Sequence, residues 1–167
     1  MTTNQNMLSP VGFSFQIKKT PDLNLFIQAV TLPGINLGST DQPTPFKAIP
    51  IYGDHITFTE LDITFKINED LSDYKEIYDW IVGIGFPNNY DQFKALKNQP
   101  LWSGEGLESD ATLTILSSAM NPIMKIELED LFPISLTPIT MDARDTNIEY
   151  LEATASFRFN NYTLNLV

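Results

Sequence analysis

Alternation between apolar and polar side chains is the feature that most constrains this chain. It is clearest at 61–67 and recurs at 13–17, 123–131 and 151–159. Successive side chains of a β-strand point to opposite faces of a sheet, so a period of two residues predicts half-buried strands. The chain is therefore expected to be mainly β.

One segment follows a different period. From Leu71 to Val82 the apolar residues recur at three- and four-residue spacing, which predicts a helix that Asp70 caps and Gly83 ends. No βαβ rhythm and no repeat of 20–50 residues is present in the sequence. The order of elements predicts an antiparallel β-sandwich or small barrel with one flanking α-helix, in a single domain over 1–167.

The segment 36–54 contains three prolines, and glycines lie near both of its ends. Proline lacks the N–H that an inner strand needs, so we interpret this segment as an extended arm and not as the middle of a sheet. Its apolar residues are unusual for a solvated loop: Phe46, Ile49, Ile51 and Tyr52. Two interpretations are open, since they either fold back onto their own domain or lie on an adjacent subunit.

Two further segments lack a regular period. Residues 1–10 are mostly polar and are expected to form a flexible N-terminal arm, without the regions of a secretory signal. Residues 86–109 form a long loop, which is uncommon in a compact domain unless it has a function. The loop carries Tyr90, Phe93 and Trp102. One hypothesis is therefore a carbohydrate- or protein-binding β-sandwich with this loop as its site.

No segment carries a specific catalytic or metal-binding motif. The chain has no cysteine and one histidine, His55, which has no second nitrogen ligand near it in sequence. The acidic run at 127–130 lacks the spaced oxygens and the central glycine of a calcium loop. We expect no enzyme, no cofactor and no metal. A hydrolase that combines carboxylates from distant strands is the alternative left open.

The charge balance bears on possible partners. Ten basic residues oppose twenty-one acidic ones, for a net charge of −11. Nucleic-acid binders use Lys and Arg to neutralise phosphates, so the charge balance argues against a dominant phosphate-binding face. An acidic surface would instead let DNA pass without retaining it. No apolar run approaches the ~18–20 residues of a membrane span, so no membrane insertion is expected.

Seven segments, in their order and spacing, resemble the tail-tube family of contractile-tailed bacteriophages. They read FSFQI at 13–17, FIQAVTLPGI at 26–35, LDITF at 61–65, NEDLSDY at 68–74, IYDWI at 77–81, DLFPISL at 130–136 and YLEATASFRF at 150–159. The resemblance covers most of the chain. It implies a small β-sandwich or barrel with one helix.

The resemblance also implies a function. Six or pseudo-six copies would form a ring, and stacked rings would make a virion tail tube that conducts DNA during ejection. The chain would be made in the host cytoplasm, and its partners would be its own copies and sheath, baseplate or neck proteins. The arm would clasp the next ring, and the lumen candidates are Glu60, Asp62, Glu127 and Glu129.

The long loop is the main departure from the family pattern. Its aromatic residues Tyr90, Phe93 and Trp102 are candidates for contacts on the outside of the tube. A specialised ring at the tube end, as a baseplate hub, tube initiator or tail terminator, therefore stays open beside the main tube subunit.

Overall fold

A computed structural model describes residues 7–21, 23–85, 90–97, 106–142, 144 and 150–167. In these residues the chain forms nine strands and two α-helices. The strands are β1 (Phe13–Ile17), β2 (Ile27–Thr31), β3 (Ile35–Pro43), β4 (Ala48–Phe58), β5 (Leu61–Lys66), β6 (Ser109–Leu116), β7 (Pro122–Leu136), β8 (Glu152–Arg158) and β9 (Asn161–Leu166). The helices are α1 (Ser72–Gly85) and α2 (Asp91–Lys97), and a 3₁₀ turn at Leu23–Leu25 precedes β2.

Seven strands form one antiparallel sheet that is organised around the long strand β7. The N-terminal part of β7 pairs with β6 on one side and with β9 on the other, while its C-terminal part pairs with β8. We call the strands β1-β6-β7-β9 the first half-sheet and the strands β7-β8-β5-β2 the second half-sheet. The remaining strands, β3 and β4, form a separate two-stranded sheet.

A bend line separates the two half-sheets. In β7 it coincides with a bulge at Asp130, which has a φ of 55°. Opposite the bulge, β8 ends and β9 begins, so both neighbouring strands are interrupted at one level. Asn160 joins the two interruptions, because its Nδ2 donates to Asp130 Oδ2 (3.0 Å) and its backbone N–H donates to Glu129 O (3.0 Å). Bulges of this kind bend a strand and increase its twist.

The core lies on one side of the sheet. Apolar residues of β1, β5, β6, β7 and β8 pack there with Ile77 and Trp80 of α1. The rings of Trp80 and Phe157 are 6.1 Å apart, and both side chains are buried. The predicted fold class is confirmed: the chain is mainly β and antiparallel, with one main helix. Among the described strands there is no closed barrel, since β1 and β2 lie at the two ends of the strand order and do not pair with each other.

Helix α1 differs from the prediction at both ends. The capping carboxylate is that of the buried Asp73, which accepts hydrogen bonds from the backbone N–H groups of Asn68 (3.1 Å) and Tyr74 (2.9 Å). Asp70 is exposed, and the residue between Asp70 and the helix, Leu71, has a φ of 56°. At the other end the helix passes through Gly83 and ends at Gly85.

The alternation predicted at 61–67 corresponds to β5, and the apolar residues just before it, Ile56 and Phe58, belong to a different strand, β4. The two strands are separated at Thr59 and Glu60, where the chain leaves the two-stranded sheet and enters the second half-sheet. This interruption is the physical reason why the apolar residues change from even-numbered positions up to Phe58 to odd-numbered positions from Leu61. The predicted strand at 123–131 also continues, through Pro133 to Leu136.

Candidate assembly surfaces

The segment interpreted as an extended arm lies within the β3–β4 hairpin, which we call the arm. Every residue of β3 is exposed, as is every residue of β4 except Gly53 and Phe58. Pro50 pairs with Asp41 and is tolerated because a two-stranded ribbon consists of edge strands alone. The register shifts at Gly38 and Gly53. A Cβ on Gly53 would lie 2.8 Å from Gly38 O, so this constriction requires glycine.

The four predicted interface residues lie in the outer part of the arm. Phe46, in the connection between the strands, is 99% exposed, and Tyr52 is 84% exposed. Ile49 and Ile51 are opposite Gln42 and Thr40, whereas Tyr52 is opposite Ser39, so the apolar residues occupy both faces of the ribbon. A ribbon that covered only its own domain would need one apolar face. The four residues stay predicted interface residues.

The arm joins the body through an aromatic cluster, which we call the root cluster. The ring of Phe58 lies 5.5 Å from that of Phe159 and 5.3 Å from that of Tyr162. Tyr162 also donates through its hydroxyl to Pro33 O (3.5 Å). Next to the cluster, Thr59 Oγ1 accepts from the Gly34 N–H (2.7 Å). These contacts close the base of the arm.

The sheet face opposite the core is polar in both half-sheets. In the first half-sheet the register places side by side the rows Ser14–Thr114–Lys125–Asn165 and Gln16–Thr112–Glu127–Thr163. In the second, Asp62 is opposite Ser156, and Thr64 is opposite Thr154. Short hydroxyls and amides are interspersed on this face with charged side chains such as Lys125, Glu127 and Asp62.

The structure does not bring the four lumen candidates into one cluster. Glu127 and Glu129 are on the polar face of the first half-sheet, Asp62 is on that of the second, and Glu60 precedes β5. Three of them have polar partners. Glu127 pairs with Lys125 Nζ (2.5 Å), Asp62 accepts from Ser156 Oγ (2.7 Å), and Glu60 lies 3.4 Å from Arg158.

Within the described ranges, the first half-sheet has an open edge on each side. At the β1 edge, the side-chain amide of Asn24 takes the place of a neighbouring strand for Ile17. Asn24 Oδ1 accepts from Ile17 N (2.8 Å) and Nδ2 donates to Ile17 O (2.9 Å). By the alternation of antiparallel pairing, the main-chain groups of Phe13 and Phe15 face the same open side. A cleft of about 310 Å³ separates this edge from the start of β2.

At the opposite edge, β9 pairs with β7 alone among the described strands. Leu164 and Leu166 point to the core side, where they pair with Ile126 and Met124. They are nevertheless 54% and 80% exposed. Strand β9 was not predicted, although the alternation in NYTLNL at 161–166 indicates a strand. The root cluster was not predicted either, because its members are far apart in sequence.

Of the outer-surface candidates, Tyr90 and Phe93 lie at α2, where their rings stack at 5.4 Å. Trp102 lies outside the described residues. The part of the long loop that follows re-enters the body beside α1. There Trp80 Nε1 donates to Leu107 O (2.7 Å), and Lys19 Nζ donates to Gly106 O above the Trp80 ring. Burial lowers the pKa of Lys19 to about 8.

The described residues include no group of three His, Cys, Asp or Glu that could hold a metal ion. His55 lies 3.2 Å from Asp54 on the exposed arm. Hydrogen bonds from Arg144 lower the pKa of the Asp142 carboxyl. No helix in the described ranges is long and apolar enough to cross a membrane.

Comparisons with known proteins give a consistent result. A family model described as phage tail tube protein matches residues 2–165. A comparison with curated protein sequences finds no significant match. Among solved structures, a chain of the PVC sheath–tube complex of an extracellular contractile injection system is 13% identical, with a TM-score of 0.62 and coverage of 98% of this chain and 95% of that one.

Two further structures have similar folds. The tube-terminating cap of the anti-feeding prophage is 14% identical, with a TM-score of 0.61 and 100% of both chains covered. A chain of the anti-feeding prophage baseplate is 11% identical, with a TM-score of 0.61 and coverage of 99% and 97%. At these identities the likeness extends to the fold alone.

Proposed function

The chain belongs to the phage tail tube protein family, and from that membership we propose that its copies close into hexameric or pseudo-hexameric rings that stack into a tail tube. The family supports a structural role and not a catalytic one. The observation that carries the proposal is the first half-sheet, which has open edges at β1 and β9 on opposite sides. Such an arrangement lets one copy pair head-to-tail with the next.

Ring closure would join the β9 edge of one copy to the β1 edge of its neighbour. The added strand would occupy the side of the cleft next to Phe13 and Phe15 and would pair with their outward main-chain groups. The neighbour would also cover Leu164 and Leu166, whose exposure a separate subunit leaves uncompensated. A closed ring of strands leaves no open edge, which protects the protein from unspecific strand pairing.

The polar face of the first half-sheet would then line the lumen. Six copies of four strands, at about 4.8 Å per strand, give a circumference of at least about 115 Å and a diameter of about 37 Å between backbones. DNA would pass over hydroxyls, amides, the Lys125–Glu127 ion pair and the carboxylate of Glu129. With Glu127 paired to Lys125, the lining has no strong positive field that would retain phosphates.

Stacking would be the role of the arm. The apolar residues Phe46, Ile49, Ile51 and Tyr52 are exposed on a ribbon that stands apart from the core, and a copy in the next ring would cover them. Sheath, baseplate or neck proteins would bind the outside, with Tyr90 and Phe93 as candidate contacts. The assembled chain would be located in the virion tail.

Electron microscopy of the purified protein, together with mass measurement over a range of concentrations, tests this function. We expect rings and tubes from the full chain, and rings without tubes when 38–53 is replaced by a short Gly-Ser linker. A control variant with Ser39, Thr40 and Gln42 changed to Ala should still form tubes. A strict monomer at all concentrations, or normal tubes from the shortened chain, would contradict the proposal.

A ring at one end of the tube is the second candidate function. It is motivated by the cap and baseplate chains, whose TM-scores of 0.61 nearly equal that of the sheath–tube chain. The same microscopy separates the two: a main tube subunit grows into tubes of open length, whereas an end subunit stops at one or two rings.

A further inference from the structure

The root cluster spans the bend line of the sheet. Phe159 lies at the interruption between β8 and β9, and Tyr162 lies in β9, opposite Leu128 of the first half-sheet. Phe58 is the last residue of the arm, and its ring contacts both of theirs. The three rings therefore connect the arm to the first half-sheet.

The arm is attached to the second half-sheet by other means. After Phe58 the chain runs through Thr59 and Glu60 directly into β5. Thr59 Oγ1 accepts from the Gly34 N–H, and Glu60 lies 3.4 Å from Arg158, at the end of β8. The base of the arm is thus fixed to one half-sheet covalently and to the other through aromatic packing. A change of angle at the bend line must move one attachment relative to the other.

Strand β9 is the element that ring closure would change most. In the described structure β9 has β7 as its strand neighbour on one side, and its other edge is open. A strand at the edge of a sheet, near the end of the chain, belongs to the parts of a fold that open most readily. Pairing on both sides would fix it, and with it the ring of Tyr162.

We propose that ring closure at β9 sets the direction of the arm through the root cluster, so that stacking follows ring closure. The inference rests on the proposed function and adds an order of assembly to it. In the separate subunit the arm adopts several orientations relative to the body. In the ring, the fixed side chain of Tyr162 holds the arm in one of them. The arm thus loses its conformational entropy when the ring closes, so this loss no longer opposes the binding of the next ring. Tyr162 is a positioning residue in this scheme.

Hydrogen exchange of the arm amides, followed by mass spectrometry, tests the proposal on subunits and on single rings separated by size. In the wild type we expect exchange in 35–58 to slow at least about tenfold when subunits become rings, before any stacking. Tyr162→Leu should still form rings but lose this slowing and form few tubes. Tyr162→Phe, which keeps the ring, should restore both.

Tyr74→Leu is the matched control. Tyr74 also packs on the core and donates through its hydroxyl to a backbone carbonyl, that of Thr137 (3.3 Å), but it lies on α1, away from the arm. This variant should behave like the wild type in both measurements. The proposed coupling is wrong if the arm amides exchange equally fast in subunits and rings, or if Tyr162→Leu still shows the slower exchange in rings. The proposal of ring formation would survive either result. If the wild type forms no rings, the proposed function fails first.

Discussion

Strands β4 and β5 follow each other in the chain and differ in almost every structural respect. In β5 the odd-numbered residues Leu61, Ile63 and Phe65 are fully buried and their even-numbered neighbours face outward. In β4 nearly every residue is exposed, although isoleucine and aromatic residues are present there too. Apolar content therefore does not by itself predict burial. Burial is predicted by the distribution of apolar residues over the two faces of a strand, because the core covers only one face of the sheet.

The difference indicates what each strand is for. The one-sided pattern of β5 is satisfied within the chain, by β8, β2 and the core. The two-sided pattern of the outer part of β4 cannot be satisfied by its own domain. Under the proposed function, other copies would cover its apolar residues, which is the stacking role proposed for the arm. Four experiments test this difference between the arm and the body.

The largest effect is expected in the core. Phe65→Ala should lower the free energy of unfolding by about 3–5 kcal/mol, because it removes a buried ring and leaves a cavity. Ile51→Ala, in the exposed arm, should change it by less than about 0.5 kcal/mol. Denaturant unfolding monitored by tryptophan fluorescence measures both. Equal losses at the two positions would mean that the arm is packed on its own domain.

The constriction of the arm should respond to a single methyl group. Gly53→Ala places a Cβ against the backbone of Gly38 and should cost the arm about 1–3 kcal/mol. Gly38→Ala is its control, since a Cβ there meets His55 O at 3.5 Å, an ordinary contact. Hydrogen exchange in 39–52 should accelerate in the first variant alone. Unchanged exchange in Gly53→Ala would show that the two strands separate there at no cost.

A smaller effect is expected at the junction of the two strands. Thr59→Val removes the hydroxyl that accepts from the Gly34 N–H and should destabilise the base of the arm by about 0.5–1.5 kcal/mol. Thr57→Val, at an exposed position two residues earlier, serves as the control. Amide exchange near 34–36 should report the loss. A protected Gly34 amide in Thr59→Val would contradict the assignment.

The smallest effect concerns pH and should appear in the body alone. Because the pKa of Lys19 is lowered from 10.5 to about 8, the folded body binds fewer protons than the unfolded chain between those values. Stability should therefore rise as the pH increases from about 8 towards 10.5, by no more than about 1 kcal/mol after solvent screening. Below pH 8 both states are protonated and the cost of burying the ammonium is fully present.

The difference between the wild type and Lys19→Met isolates this contribution from other groups that titrate above pH 9. Unfolding midpoints measured from pH 7 to 10.5 should converge as the pH rises. If the difference stays constant over this range, Lys19 is not the titrating group. Exchange in the arm should follow the same pH profile in both proteins, since the arm has no contact with Lys19.

The buried elements could be predicted from local patterns. The parity of β5, the N-terminal part of β7, and β8 follows from alternation, and α1 follows from the three- and four-residue spacing of residues such as Ile77 and Trp80. The family resemblance was confirmed by the match over 2–165. The single-domain assignment and all site residues stay predictions.

The remaining features depend on contacts that no local pattern contains. The root cluster joins Phe58 to Phe159 and Tyr162, about a hundred positions away along the chain, and nothing near either end indicates the other. In the sequence, the interruption at Thr59 shows only as a change of the apolar residues from even-numbered to odd-numbered positions. The carboxylates proposed for the lumen could be assigned to the outward side of their strands, but not to Lys125, Ser156 or Arg158 as partners.

The amide of Asn24 has a consequence for the shape of an assembly. It occupies the main-chain groups of Ile17, so a strand added along β1 reaches Phe15 and can go no further. Without such a stop, the joint between neighbours could slide by two residues, about 6.6 Å, and keep its hydrogen-bond pattern. If the offset were repeated at every joint, the copies would form an open helix instead of a closed flat ring. In the proposed ring, this one side-chain amide would stop the neighbouring strand from sliding past Phe15 towards Ile17.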